Sequence, residues 1–384
     1  MRIPDFKYII IGAGTSGLHL INSIVEDQFF RNKGILVIDK SLKQSKNKCF
    51  SFWEKGNGKW DKIISKSWSL GEFISSKGKV SFTLEDYKYK MIKSNDFYNY
   101  IKKSVSKYDN VQFIEDEILN IRLENNKVVV VGNNSNYICD HAFDSRITKN
   151  NNDSNNGYIS LKQHFKGWII KTSKPKFNPN LFTIMDYTIR DIDETAFTYI
   201  LPISEDKALV KYIYFTSELA DSIEYDNKLN SYIKNILKIK KFKILDEEVG
   251  IIPMRNFPFY KENNKHITKI GTAGEWVKLS TGYSFKNVEK NCKKIVEELK
   301  KKNPYIKLKS PYKYYYYDKL FLYVLNKYNF YGENMFYKIF KRNNIKKIFK
   351  FLDEESNLIE DISIFISMFS LKYIRVVIAS IWIK

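Results

Sequence analysis

The stretch YIIIGAGTSGLHL, residues 8–20, decides the fold of this chain. Its first letters form an apolar run typical of a buried strand, the glycines make a G-x-G-x-x-G turn, and the remainder begins a helix with apolar residues at helical spacing. A second strand-like run, ILVID at residues 35–39, follows that helix. Because a strand, a helix and a parallel strand connect in a right-handed crossover, this segment predicts a β-α-β unit.

The glycine turn has the pattern of a dinucleotide-binding site. Gly12 permits the tight turn into Ala13, Gly14 lets the backbone approach a pyrophosphate, and Gly17 allows close packing of helix and strand. The amino terminus of the helix supplies amide donors and a partial positive charge. Asp39, about twenty residues further on, is positioned to accept hydrogen bonds from an adenosine ribose. These five residues therefore predict binding of the ADP half of a dinucleotide, and a glycine turn without a cofactor is the alternative.

A second glycine-rich segment, IGTAGEWVKLSTGYSF at residues 270–285, distinguishes between cofactors. A nicotinamide dehydrogenase rarely needs another such turn so far from the first, whereas a flavin does. Gly271 and Gly274 would let the backbone approach the flavin pyrophosphate or ribityl chain, and Thr281 and Gly282 could present amides to the ring at a helix start. The two segments together predict FAD. A turn that only reverses the chain is the alternative.

Composition narrows the class of protein. Hydrophobic residues make up 43% of the chain, as in ordinary globular proteins, and the three cysteines are widely spaced without a C-x-x-C pair. The net charge of +21 comes from lysines spread along the chain among abundant Asn, Ile, Tyr and Phe, a bias typical of AT-rich coding sequence. We therefore expect no nucleic-acid partner, no metal site and a cytoplasmic location, while attraction to an anionic membrane surface stays open.

Patterning along the chain predicts an α/β (α+β) fold with an inserted sheet. A Rossmann-type FAD-binding domain is expected in two segments, the substrate-binding antiparallel sheet between them, and helices at the end: residues 1–150 and 250–300, 151–249, and 301–384, respectively. The polar stretch at 150–157 is predicted to be an exposed loop. In the closing stretch, residues 363–384, Lys372 and Arg375 interrupt the apolar run, which favours a buried or interfacial helix over a spanning one.

Several further stretches carry a family resemblance when they are taken in order. They include CFSFWEKGNGKW, MIKSNDFYNYI, HAFDSRI, LKQHFKGWII, FTIMDYT, FTYILPISEDKALVKY, GIIPMRNFPF and FKFLDEESNL. With the two glycine segments they run across residues 7–358, and the sequence resembles the FAD-dependent lycopene beta-cyclases of bacteria. The resemblance implies a flavoprotein fold like that of the hydroxybenzoate hydroxylases. The dinucleotide turn alone is shared with monooxygenases, halogenases and geranylgeranyl reductases.

The resemblance also implies an intramolecular lyase reaction without net redox change. Lycopene end groups would close to β-rings, through γ-carotene to β-carotene, next to reduced FAD with NADPH as the reductant. Ring closure would begin with protonation of the terminal double bond, and the resulting cation needs nearby negative charge and exclusion of water. Trp53, Trp168 and Phe257 are candidate pocket walls, because aromatic faces stabilise cations, and a place in the ordinary core is the favoured alternative for each. A polyene substrate implies peripheral contact with the inner face of the membrane, and the oligomeric state stays open.

The site residues that the resemblance implies include one charge reversal. The family has a catalytic glutamate after its PxS segment, and ALVKYIYF places Lys211 there. Asp186 keeps the acidic place in MDY, so Asp186 and Lys211 are the candidate catalytic residues. Arg146 keeps the arginine of the D-x-R element and is a candidate cofactor-binding residue. An ammonium is a poor acid for an alkene unless burial lowers its pKa by several units.

Other departures and candidates leave alternatives open. Thr188 and Leu279 also differ from the family, and Glu275 is expected to add negative charge beside the phosphate path and so weaken FAD binding. Spare carboxylates occur at Glu205, Glu247 and Glu248, FLDEES at residues 351–356 is interpreted as a helix cap or packing feature, and the histidines are interpreted as structural. The alternatives to a cyclase are a related FAD-dependent reductase or monooxygenase acting on an isoprenoid, and a degenerate FAD-binding protein without turnover.

Overall fold

The computed structural model describes residues 5–42, 48–147, 158–191, 193–257, 262–301 and 312–368. The loop predicted at 150–157 and the end of the closing stretch, from residue 369 on, lie outside the described residues.

The described residues form seventeen strands and eight α-helices, each numbered in chain order. The strands are β1 (Asp5–Ile11), β2 (Ile35–Asp39), β3 (Cys49–Lys55), β4 (Lys66–Trp68), β5 (Leu70–Ser75), β6 (Gly78–Thr83), β7 (Tyr87–Lys93), β8 (Val111–Glu115), β9 (Ile118–Glu124), β10 (Lys127–Gly132), β11 (Asn136–Asp144), β12 (Ser160–Thr172), β13 (Leu181–Asp186), β14 (Ala196–Ser204), β15 (Lys207–Thr216), β16 (Phe242–Arg255) and β17 (Ile267–Lys269). The helices are α1 (Thr15–Val25), α2 (Ser94–Val105), α3 (Ser222–Ser231), α4 (Phe285–Lys300), α5 (Tyr312–Lys327), α6 (Gly332–Arg342), α7 (Ile345–Leu352) and α8 (Leu358–Met368).

The first sheet contains the predicted β-α-β unit. Its order is β8-β2-β1-β11-β10-β9, with β17 beside β11, and β1 pairs in parallel with both β2 and β11. Ile9 and Ile10 are fully buried: Ile10 packs with helices α1 and α4 on one face of the sheet, and Ile9 belongs to an apolar cluster with residues of β2, β9, β10 and β11. Strands β9 and β10 form a hairpin whose turn contains Asn125 and Asn126, and both residues have positive φ, as a tight hairpin turn requires.

The second sheet has the order β16-β12-β15-β14-β13-β5-β6 and is antiparallel except where β13 pairs with β5. Its two faces follow the period of two along β15: Leu209, Ile213 and Phe215 face the carboxyl-terminal helices, while Val210 and Tyr212 face α3. Strands β5 and β6 precede residue 151, and β16 continues beyond residue 249. The sheet is therefore larger than the range 151–249 that we inferred for it, since long-range pairing recruits strands from both flanking segments.

The carboxyl-terminal helices α5 to α8 pack against one face of this second sheet. The contact is aromatic: the ring of Phe73 on β5 stacks on Phe340 of α6 with centroids 5.0 Å apart, and Phe82 of β6 stacks on the same ring at 5.7 Å. Strands β3, β7 and β4 form a small antiparallel sheet. None of the helices in the described ranges combines the length and apolar character needed to cross a membrane.

Candidate functional site

The first glycine turn has the geometry expected of a close backbone approach. Gly12 has φ +102°, and a Cβ built there would lie 2.0 Å from Ser145 Oγ. A Cβ on Gly17 would lie 1.9 Å from the carbonyl oxygen of Gly12, whereas a Cβ on Gly14 would meet no atom within 4 Å. Gly12 and Gly17 are thus required by packing, and Gly14 borders open space at the start of α1.

Asp39 lies beside this turn at the end of β2. Its Oδ2 accepts a hydrogen bond from the backbone N–H of Ala13 at 2.6 Å, and its Oδ1 accepts one from Ser41 at 3.0 Å. The carboxylate therefore holds the turn in place from the next strand.

The second glycine turn packs directly against the first. Gly271 has φ +64°, and a Cβ there would lie 2.5 Å from Ser16 Oγ, while a Cβ on Gly274 would lie 2.5 Å from the carbonyl oxygen of Lys269. Between the two turns lies a cavity of about 250 Å³. Its lining comes from both chain segments and consists of Gly14, Thr15, Ser16, Gly17, Ser145, Gly271, Thr272, Val277, Ser284 and Val288.

Contrary to our expectation from the sequence, Glu275 does not line this cavity. Among the described residues, those that line this cavity do not include Glu275, which instead borders a smaller recess together with Arg255 and Leu279. Glu275 has φ +61° and ends the short helix Gly271–Gly274 in the left-handed region. Glycine suits that backbone position best, so a glutamate there costs roughly 1 kcal/mol of backbone strain, and it adds no charge to the described lining of the cavity.

A second cavity, which is apolar and has a volume of about 220 Å³, lies between the second sheet and the carboxyl-terminal helices. The sheet contributes Phe165, Phe197 and Phe215 to its walls, and the helices contribute side chains such as Phe336 and Phe340. A polyene-like or aromatic ligand would find mainly apolar contacts here.

The two cavities meet at the turn that precedes α4. Ser284, the residue before α4, lines both of them, and Thr281 and Gly282 line the apolar one. Gly282 has φ +72°, and a Cβ there would lie 1.7 Å from Gln163 Oε1 on the sheet. Thr281 Oγ1 and Gln163 Oε1 are buried without a hydrogen-bond partner in the structure. Unpaired buried polar atoms at this junction are the kind of groups that a bound ligand would satisfy.

Lys211 lines the apolar cavity and forms an ion pair with Glu248. The two side chains come from β15 and β16, and Gly167 of the intervening β12 is paired with both residues. A Cβ on Gly167 would lie 2.6 Å from Lys211 Cγ, so the absence of a side chain allows the pair to meet across the strand. Glu248 Oε2 also accepts a hydrogen bond from the backbone N–H of Cys49 at 2.9 Å. The ammonium of Lys211 is therefore neutralised by a buried carboxylate.

Asp318 of α5 also lines the apolar cavity and belongs to a second buried ion cluster. Lys278 Nζ lies 3.1 Å from Asp318 Oδ2 and 3.4 Å from Glu354 Oε1. Burial raises the pKa of Asp318 above its ordinary value, with Lys278 acting in the opposite direction. Burial acts to lower the pKa of Lys278, but the two carboxylates outweigh it, so that pKa is raised.

Three tyrosine hydroxyls form a buried polar spot in the cavity wall. Tyr89 Oη lies 2.7 Å from Tyr199 Oη and 3.0 Å from Tyr283 Oη. Burial raises the pKa of Tyr283 to about 12 and raises those of Tyr89 and Tyr199 well above their ordinary value. All three hydroxyls are therefore neutral donors at physiological pH.

Asp186, one of the candidate catalytic residues, lies on the other face of the sheet. Its carboxylate accepts hydrogen bonds from Tyr232 Oη at 2.5 Å and from the backbone N–H of Thr188 at 2.8 Å. Ile184 and Met185 of the same strand line the apolar cavity, whereas Asp186 points towards the layer that contains α3. The structure thus brings Lys211 to the cavity and leaves Asp186 away from it.

Arg146 also has a different place from the one we inferred. Its guanidinium donates hydrogen bonds to Asp144 Oδ1 at 2.9 Å and to the carbonyl oxygen of Ile118 at 2.7 Å. Lys269 Nζ lies 3.0 Å from the other oxygen of Asp144. Arg146 therefore stabilises the end of β11, and its neighbour Ser145 is the residue that lines the cavity between the glycine turns.

The three aromatic residues considered as pocket walls are not among the described residues that line the apolar cavity, and Trp53 and Trp168 lie in the core, the alternative that the sequence favoured. Trp53 stacks on Phe349 at 4.6 Å and lies behind Tyr283, and Phe257 contacts Tyr158 at 5.1 Å. Trp168 faces the α3 side, because Phe165 and Gly167 occupy the cavity face of β12 and successive residues alternate.

Sequence reasoning missed Asp318, Lys278 and the tyrosine hydroxyls. A signal existed for Asp318: it lies within YYYYDKLFLYVL, where an acidic residue shares a helix face with the aromatic residues Tyr314 and Phe321 at spacings of four and three. Glu248 had no comparable local signal, since its role depends on pairing across β12.

The chain matches a known protein family over most of its length. The family model described as lycopene cyclase protein matches residues 8–377. No curated protein matches the chain.

Solved structures share the fold at low sequence identity. A geranylgeranyl bacteriochlorophyll reductase-like protein from Thermoplasma acidophilum has a TM-score of 0.60 at 12% identity, covering 98% of each chain. The halogenase PltM in complex with phloroglucinol and FAD has a TM-score of 0.60 at 11% identity, covering 97% of this chain and 90% of that one. The flavin-dependent brominase Bmp2 has a TM-score of 0.59 at 13% identity, covering 91% and 94%, respectively.

These neighbours confirm the Rossmann-type flavoprotein fold predicted from the two glycine turns. The family match spans both cavities and nearly the whole chain. This protein belongs to the lycopene cyclase family.

Proposed function

We propose that this protein is an FAD-dependent lycopene beta-cyclase, which converts lycopene through γ-carotene to β-carotene. The observation that carries the proposal is the junction at Ser284, where a glycine-lined cavity opens onto an apolar one in a chain of this family. A cofactor bound along the first cavity would place its reactive end beside a substrate in the second.

The residues of the first cavity fit FAD. The open space at Gly14 leaves room for a pyrophosphate, and α1 and α4 both begin at the cavity, where their unpaired amides favour an anion. The turns at Gly12–Gly17 and Gly271–Thr272 would hold the phosphates, and Asp39 would take the ribose. In its reduced form, which we propose NADPH supplies, FAD would contribute negative charge beside the apolar cavity.

The residues of the second cavity fit a linear polyene. Its phenylalanine walls exclude water, which strengthens every electrostatic interaction inside and protects a carbocation from capture. Neutral hydroxyls at Tyr89, Tyr199 and Tyr283 add no net charge to the wall. The aromatic rings favour a cation that develops during ring closure.

We further propose that α8 contacts the inner face of the membrane, from which the polyene enters. One side of this helix exposes apolar residues: Leu358, Ile359, Ile362 and Ile366 have exposed fractions of 62%, 80%, 56% and 68%. The other side contributes Ile364, Phe365 and Met368 to the apolar cavity. A helix of this kind would separate a bilayer from the cavity by a single layer of side chains.

Production of the protein in cells that accumulate lycopene tests the proposal. We expect γ-carotene and β-carotene in the pigment extract, and purified protein that is yellow from bound flavin. NAD(P)H consumption in proportion to product would instead indicate a reductase or monooxygenase. Unchanged lycopene together with a colourless protein would contradict the proposal.

A second candidate function is FAD binding without turnover. The observation that favours it is Lys211 at the position of the family's catalytic glutamate. Such a protein would bind flavin and leave lycopene unchanged, and Lys211→Glu would restore β-carotene formation if the chain descends from an active cyclase.

A further inference from the structure

Among the described residues, the sheet side of the apolar cavity presents Lys211 and no free acid. Its ammonium is paired with Glu248, and Glu248 lies behind the wall: among the described residues, it is not one of those that line the cavity. The second oxygen of Glu248 is occupied by the backbone N–H of Cys49. A carboxylate held in this way is poorly placed to give a proton to a ligand in the cavity.

Asp318 is the carboxyl group that does line the cavity within the described part of the chain. It enters from α5, on the helical side opposite Lys211, and only 6% of its surface is exposed. Its neighbours in the lining include Ser280 and Thr281 of the turn before α4. A ligand in the cavity would therefore contact this carboxyl close to the junction with the first cavity.

Burial favours the protonated form of Asp318, and the carboxylate of Glu354 acts in the same direction, whereas Lys278 opposes both. A single ammonium, Lys278, lies between Asp318 and Glu354, while the ring of Tyr314 covers the ammonium at 5.7 Å. Two ionised carboxylates on one buried ammonium would leave a net negative charge, so one carboxyl holds a proton more readily than in water. When Asp318 gives up its proton, Lys278 is already in place to compensate the new charge.

We propose that Asp318 is the acid and base of ring closure, which makes it the catalytic residue of this cavity. This inference rests on the proposed cyclase function. In the first step the O–H bond of Asp318 breaks and a C–H bond forms at the terminal double bond, which leaves a tertiary cation on the polyene. A second double bond attacks this cation and closes the ring. The carboxylate then removes a proton from the ring, the C–H electron pair becomes the ring double bond, and the acid is restored without net redox change.

The test compares Asp318→Asn with Asp116→Asn. Both remove a buried carboxyl with little change in side-chain shape, but Asp116, which accepts a hydrogen bond from Tyr137 Oη at 2.9 Å, is not among the described residues that line either cavity. In lycopene-producing cells we expect Asp318→Asn to lose cyclic product by about 100-fold or more, since general acid–base catalysis contributes factors of this order. Asp116→Asn should stay within a few-fold of the wild type, and flavin absorbance should show that both variants bind cofactor.

A pH profile keeps the inference testable if Asp318→Asn folds poorly. The wild-type rate should fall as pH rises through the pKa of the acid. Lys278→Gln should move that fall to higher pH, because the ammonium no longer favours the carboxylate. Cyclic product from Asp318→Asn at the wild-type level, or an unmoved profile in Lys278→Gln, would overturn this inference while the cyclase function stood. No product from the wild type would instead contradict the proposed function itself.

Discussion

Gly14 and Gly17 lie three residues apart in the first turn, but their surroundings differ. A methyl group on Gly17 would collide with the backbone carbonyl of Gly12 at 1.9 Å, which side-chain motion cannot relieve. We therefore expect Gly17→Ala to lower the free energy of unfolding by roughly 1–3 kcal/mol. Gly14→Ala meets no protein atom, so it should leave the stability of the flavin-free protein unchanged and weaken flavin binding.

Denaturant unfolding of the flavin-free proteins and flavin titration separate these two effects. Each glycine serves as the control for the other. Wild-type flavin affinity in Gly14→Ala would mean that the open space beside this residue is not where the cofactor binds.

Asp353 makes the stability of the protein depend on pH. Burial, helped by Glu355, raises the pKa of Asp353 to about 7, although Trp53 Nε1 donates a hydrogen bond to its carboxylate at 2.8 Å. Because the folded protein holds this proton more tightly than the unfolded chain, the stabilisation is complete below the ordinary pKa of 3.8 and is lost as pH rises through about 7.

The measurement is the free energy of unfolding of the wild type and Asp353→Asn between these pH values. We expect the wild type to lose roughly 2 kcal/mol more than the variant on going from acidic to neutral pH, after an allowance for partial exposure. Parallel pH curves would show that Asp353 ionises normally.

At the scale of elements, the pairing of β15, β12 and β16 creates the contact between Lys211 and Glu248. Glu248→Gln would leave a buried ammonium without its counter-charge, so we expect a loss of roughly 3 kcal/mol in unfolding free energy. Exchanging the charges with Lys211→Glu and Glu248→Lys should recover most of this loss, because Gly167 still places no side chain between positions 211 and 248. A double-mutant cycle by denaturant unfolding measures the coupling, and additive effects would contradict it.

The exposed face of α8 predicts membrane contact by this element. Replacing Ile359 and Ile362 with serine should lower binding to anionic lipid vesicles by at least roughly tenfold, since each buried isoleucine contributes about 1.5–3 kcal/mol. Serine at Leu119 and Leu123 of β9 is the matched control, because these residues are also exposed and apolar but lie far from α8 in the fold. Vesicle flotation gives the comparison, and equal losses in both double variants would mean that α8 has no special role.

At the scale of the whole molecule, one ligand would connect two distant parts of the chain. The first turn ends at residue 17 and the second begins at residue 271, yet a Cβ on Gly271 would touch Ser16. FAD should therefore stabilise the complete fold, by about 2.7 kcal/mol when free FAD exceeds its Kd a hundredfold. Thermal unfolding with and without FAD tests this expectation, with riboflavin, which lacks the ADP half, as the control; an unchanged Tm would argue against an FAD site between the turns.

The sequence by itself determined the β-α-β unit, the two glycine turns, the flavoprotein fold class and the family. These features are local: a positive φ or a close backbone approach demands glycine at one position, and buried strands demand apolar runs. Gly12, Gly17 and Gly271 could therefore be assigned before any contact between them was known.

Only the tertiary structure decided which polar groups reach the apolar cavity. Trp168 and Asp186 lie on the other face of the sheet, because strand residues alternate and a register is set by partners far away in the chain. Glu248 meets Lys211 only through the register of two strand pairs, and Asp318 reaches the cavity only because α5 packs on the sheet. Residue type can indicate a local backbone requirement, but which side chains meet depends on pairing and packing between distant segments.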